Sequence, residues 1–113
     1  AVGPCSFSSL AATREWLQTE EAVAFAKAYK AAKAHLVGTA ATALADDLAS
    51  YFPSIQRSVL VQCIHDYQQL GCWTEEIAIT DSGYQAMLNI YETSGGINQR
   101  YDYADVCSRP PGY

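Results

Sequence analysis

Residues 66–97, DYQQLGCWTEEIAITDSGYQAMLNIYETSGGI, decide how the chain is read. The stretch closes one helix at Gly71, turns through Cys72 and Trp73, and opens a second helix at Thr80 or Asp81. That second helix stops on Gly95-Gly96. A glycine after the last helical residue enters a left-handed turn without a side-chain penalty. A Thr or Asp before a helix accepts hydrogen bonds from the open amides of its first turn. Between corner and helix, Ile77 and Ile79 alternate with polar neighbours, as in a short extended connector. Tyr84, Met87, Leu88 and Tyr91 then recur at helical spacing and are expected to form a core face.

The same grammar extends upstream. Ser54 follows Pro53 and is expected to cap a long helix, because the residue before a proline is driven out of the helical region and breaks the chain at Phe52. Ile55, Val59, Cys63, Tyr67 and Leu70 form the apolar stripe predicted to be buried on that helix. A shorter helix from about Thr39 offers Ala41, Leu44, Ala45 and Leu48. The first long helix starts at Glu20, with Thr19 as its cap and Glu20 and Glu21 favourably placed in its first turn. Its predicted buried stripe is Phe25, Tyr29, Ala32 and Leu36. Lys33 and His35 suit its last turn, and Gly38 ends it. Residues 6–12 are a candidate strand with no partner of similar type downstream; a loop is the alternative. After Gly96 a short helical turn is expected at residues 103–107, and Pro110-Pro111 forbid regular structure. The expectation is a mainly α chain, read as one segment: 1–13 strand or loop, 14–94 helices, 95–113 tail.

Half of the 113 residues are apolar, and two Trp, eight Tyr and three Phe argue for a folded chain. The net charge is −5 and there is no run of basic residues, so no nucleic-acid partner is expected. Lys27, Lys30 and Lys33 cluster beside Glu20 and Glu21, which reads as a solvated helix face, with an anion site as the alternative. No stretch approaches the roughly 18 apolar residues of a membrane helix, so no membrane insertion is expected. No signal-peptide pattern is read either, as in any mature chain. The four cysteines, Cys5, Cys63, Cys72 and Cys107, form no Cys-x-x-Cys pair. Cys63, His65, Cys72 and Cys107 carry zinc-ligand atoms at spacings that match no common pattern. A free buried thiol at Cys63 is favoured, with a disulfide or a metal as alternatives.

No catalytic grouping is read. A nucleophile needs a base in reach and a third group that orients the base. His35 lies at a helix end and His65 lies off the Cys63–Tyr67 stripe, so both read as structural or solvated. The carboxylate pairs Glu20-Glu21, Asp46-Asp47 and Glu75-Glu76 are sequence neighbours, which diverge by about 100° on a helix. Gly95-Gly96 follows a helix instead of opening one, so no phosphate loop forms. No cofactor and no metal are expected.

The order of these features resembles a known family. Residues 7–17, FSSLAATREWL, resemble its last strand and the start of the following helix, and residues 20–36, EEAVAFAKAYKAAKAHL, resemble its next helix. Phe52-Pro53, Val59-Leu60, Tyr67, Leu70-Gly71 and Trp73 follow its spacing, and so does the closing run from Tyr84 through Ile97 to Tyr101, Tyr103, Asp105 and Val106. The family is the NMT1/THI5-like substrate-binding proteins, which serve ABC importers of the nitrate, taurine, sulfonate and thiamine-pyrimidine group. The resemblance implies the helical C-terminal portion of a two-lobed α/β periplasmic-binding-protein-like fold, with residues 6–12 as a strand of a sheet supplied elsewhere. It further implies a solute-binding, non-enzymatic role in transport: capture of a small polar or anionic organic ligand between two lobes. The implied location is periplasmic or extracytoplasmic, and the implied partners are the missing lobe or a second chain and an ABC permease. Pro4, Cys5, Ser6 and Phe7, near where lobes meet, are the ligand-binding residues it implies. A stand-alone helical interaction module and a fragment of a pyrimidine-synthesis enzyme are the alternatives.

Overall fold

The structure, a computed structural model, describes residues 5–113. The described residues form five α-helices and no strand: α1 (Glu20–Gly38), α2 (Ala41–Leu48), α3 (Arg57–Leu70), α4 (Asp81–Thr93) and α5 (Tyr103–Val106). Short 3-10 turns precede α1 at Trp16–Gln18 and follow α2 at Ala49–Tyr51. Residues 5–13 carry no strand pairing, so the candidate strand at 6–12 is a loop within this chain. Its physical reason is the one the sequence names: no second strand is present to take its backbone groups.

The chain divides into two compact units. One holds Lys27–Ile77. Its core is Leu44 and Ala45 from α2 against Leu60 and Ile64 from α3, with Leu36, Ala41, Leu48, Val61 and Trp73 packed around them. Of the predicted α2 stripe, Leu44 and Ala45 are buried and Ala41 and Leu48 half-buried. The predicted α3 stripe is not buried. Val59, Tyr67 and Leu70 are 49%, 50% and 72% exposed, Ile55 and Cys63 are also exposed, and the buried residues are Leu60 and Ile64. The two rows lie side by side on one helix, and α2 packs on the second. Tyr67 stacks on Trp73 at 5.3 Å and 17°. Cys63 is therefore a free, exposed thiol and not a buried one.

Several helix ends follow local chemistry. Thr19 Oγ1 accepts from the Ala22 amide at 3.2 Å and caps α1. Gly71 closes α3 in the left-handed region at φ 67°. Ser54 caps nothing: α3 starts at Arg57, and residues 52–55 are spent on a turn in which Ile55 donates to the Phe52 carbonyl. At the end of α1, the Gln68 amide donates to the carbonyls of Leu36 and Thr39, both at 2.8 Å. One α3 side chain thus satisfies two backbone groups that a helix end leaves open. Gln68→Ala is expected to cost about 1–2 kcal/mol, read from the urea midpoint of the chain. An unchanged midpoint would mean that water replaces the amide without loss.

The second unit takes the chain up to Ala26 together with Ala78–Tyr113. Its buried residues include Ala22, Ala26, Tyr84 and Leu88. Along α1 the predicted stripe is again displaced. Phe25 and Tyr29 are 48% and 38% exposed and Ala32 is exposed, while Ala22 and Ala26 are buried. Alanine carries only a methyl group, so these two buried positions present little side chain to their neighbours. Phe25 instead meets Trp16 edge to face at 6.0 Å. On α4, Tyr84 and Leu88 are buried and Met87 and Tyr91 half-buried, as expected. Gly95 turns the chain at φ 75°, and Gly96 donates to the Tyr91 carbonyl at 2.7 Å. Arg100 then straps the tail to α4, donating to Asn89, Glu92 and Gln85 at 2.8–2.9 Å.

Candidate functional site

The residues that the resemblance implicates lie beside the first turn of α4. Pro4 is outside the described residues. Cys5 and Ser6 are half-buried, and Phe7 is 67% exposed. The Ser6 amide donates to the Gly83 carbonyl at 3.1 Å. A Cβ at Gly83 would lie 2.6 Å from Ser6 Oγ and 3.0 Å from Thr80 Oγ1, so any larger residue there obliges the Ser6 hydroxyl to move. Thr80 caps α4 by accepting from the Gly83 amide at 3.1 Å. The structure thus brings Ser6 together with Thr80 and Gly83, in a contact that anchors the entering chain. Phe7 takes no part in it.

The same end of α4 holds the tail. Tyr84 Oη donates to the Tyr101 carbonyl at 2.9 Å, and its ring meets Tyr103 edge to face at 5.9 Å. Tyr103 Oη donates to the Ile79 carbonyl. Burial pushes the Tyr84 phenol up from its usual value, and the neighbouring Cys107 adds to the rise. Burial likewise pushes the Cys107 thiol up, with Asp81 as the second cause. A thiol held protonated is a poor nucleophile. Cys63 and Cys72 are exposed, so a soluble maleimide is expected to label them well ahead of Cys107, as peptide mass mapping would report. Equal rates at all three would contradict the burial of Cys107.

The Tyr84 shift has a pH consequence. The folded chain holds the phenolic proton more tightly than the unfolded chain does. Its contribution is complete below the ordinary tyrosine value of about 10 and is lost as pH rises through the folded value. Urea midpoints are therefore expected to fall above about pH 10, less steeply in Tyr84→Phe. A Tyr84→Phe profile as steep as that of the parent would contradict this.

Two further constellations were not legible in the sequence. His35 Nε2 lies 3.2 Å from Asp47 Oδ2, and His35 Nδ1 lies 3.1 Å from Thr39 Oγ1. Hydroxyl, imidazole and carboxylate fall in line, but on open surface, with the His35 and Asp47 side chains 56% and 62% exposed. Such a relay acts where water is excluded, so the line reads as a polar finish to α1. His65 is exposed. No group of three or more His, Cys, Asp or Glu placed to hold a metal occurs among the described residues. The second constellation is a groove of about 440 Å³ where the start of α1 meets the C-terminal tail, with Arg14, Gln18, Ser108 and Arg109 among its lining residues. Among the described residues no helix is long and apolar enough to cross a membrane. Comparison of the chain with protein-family models, with curated proteins and with solved structures finds no match.

Proposed function

We propose that the chain is the helical part of a two-lobed solute-binding protein of an ABC importer, which captures a small polar or anionic organic ligand between its lobes. The observation that carries this reading is the state of residues 5–13. They run outside any helix, expose Phe7 and Leu10 at 67% and 61%, and are held near their start by the Ser6–Gly83 backbone bond. Such a segment suits a strand whose sheet comes from elsewhere: the remaining lobe would pair its backbone and cover its apolar side chains. The sequence resemblance names that lobe. Capture would follow from closure, because a ligand that binds the closed state better shifts the population toward it. Ser6, held at the α4 end, and Cys5 beside it are the contributors this chain would offer at the lobe junction, with Pro4 and Phe7 flanking them.

The test is a ligand screen on the natural polypeptide, purified whole. Saturable binding of a small sulfonate, nitrate or aminopyrimidine, with a gene neighbourhood holding a permease and an ATPase, supports transport. Absence of binding across all three classes, with no such neighbours, removes it. A second reading, a helical interaction module, draws on the exposed Val59–Tyr67–Leu70 row of α3. That reading requires the 113-residue chain to be a stable monomer by itself, and aggregation on isolation would exclude it.

A further inference from the structure

The groove beside the start of α1 concentrates positive charge in an acidic chain. Twelve acidic residues face seven basic ones overall, yet the lining of this groove includes Arg14 and Arg109 and no carboxylate side chain. The chain has four arginines. Two of them are matched to carboxylates: Arg57 to Asp46 and Arg100 to Glu92. The other two, Arg14 and Arg109, have no carboxylate side-chain partner among the described residues, and both line the groove. Arg14 is not loose. One guanidinium nitrogen donates to the Asp105 carbonyl at 2.6 Å, which fixes the group without neutralising it. Gln18 and Ser108 add uncharged donors to the lining, and Leu17, Val23 and Pro110 add an apolar wall.

We infer that this groove is a binding site for a small oxyanion, a carboxylate, sulfonate or phosphate group, held between Arg14 and Arg109. A guanidinium presents its donors as a planar fork that matches two oxygens of such a group. Two cations without a carboxylate side-chain partner among the described residues, at one concavity, focus potential that dispersed surface charges do not. The apolar wall suits the carbon end of an organic anion. The site lies wholly among residues 14–23 and 108–113, within one compact unit, and does not depend on the transport reading.

The experiment is isothermal titration of the natural polypeptide at low ionic strength with acetate, methanesulfonate and inorganic phosphate in turn. At least one is expected to bind saturably. Arg109→Gln should weaken that binding about tenfold, the loss of one charge-assisted contact. Arg57→Gln, whose guanidinium is paired with Asp46 on α2, should leave it unchanged. Arg14→Gln should weaken binding similarly, but it also releases the Asp105 carbonyl, so Arg109→Gln is the deciding variant. Its side chain makes no hydrogen bond among the described residues, and retained far-ultraviolet ellipticity would show that the fold is intact. Binding of none of the three anions overturns the proposal. So does binding that Arg109→Gln leaves undiminished, which would place the anion at another site.

Discussion

Leu44→Ala is expected to destabilise the Lys27–Ile77 unit by about 3 kcal/mol. Leu44 is 1% exposed, the one large side chain buried this completely among the described residues. It sits at the centre of the cluster with Ala45, Leu60 and Ile64. Truncation removes its transfer free energy and leaves a void, and the small neighbour Ala45 cannot swing in to fill it. Leu70→Ala is the matched control. That leucine lies on the row the sequence marks as core, yet it is 72% exposed, so its loss should stay within about 0.5 kcal/mol. Urea unfolding of the two variants compares the α2 leucine packed on the Leu60–Ile64 row of α3 with a leucine on the exposed row of that helix. Equal losses, or a larger loss at Leu70, would mean that the buried face of α3 is the Val59–Tyr67–Leu70 row.

Gly83→Ala carries the second large effect, roughly 2 kcal/mol, because the new methyl enters a space already taken. Its Cβ would sit 2.6 Å from Ser6 Oγ and 3.0 Å from Thr80 Oγ1. Ser6 Oγ has to rotate away or its segment has to leave, and Thr80 Oγ1, the cap of α4, has to give by a few tenths of an ångström. The entering segment should then come free, seen as faster proteolysis within residues 5–13. Ser6→Gly in the same chain removes the nearer atom and should return part of the stability; neighbours in contact couple in this way. A Gly83→Ala chain as stable and as protease-resistant as the parent would contradict the anchor. Failure of Ser6→Gly to restore anything would place the clash at Thr80 alone.

Helix ends were legible because their chemistry is local. Thr19, Gly71, Thr80 and Gly95 act on amides and carbonyls within a turn of themselves, so residue type is sufficient to place them. Buried faces were less legible because they are set by the neighbour. On α3 the spacing supports both the 59-63-67-70 row and the 60-64 row, and Leu44 and Ala45 of α2 take the second. On α1 the large Phe25 and Tyr29 suggested a core stripe, while the buried positions went to Ala22 and Ala26, which permit close approach. The missing cap at Ser54 has the same origin: residues 52–55 were needed to turn the chain. Of the candidate site, the resemblance pointed to residues 4–7, and the structure adds what anchors Ser6. Arg14 and Arg109 stand far apart in sequence and share a groove only because the tail returns to the start of α1, so no local pattern marks them.

The central claim is that residues 5–13 belong in a sheet furnished by another part of the protein, and the size of the natural polypeptide tests it most directly. Intact-mass measurement of the protein isolated from its source should return a species well above 12.3 kDa, or this chain in a stable complex that supplies strands. A natural chain of 12.3 kDa that is monomeric, folded and resistant to proteolysis across residues 5–13 would contradict the claim.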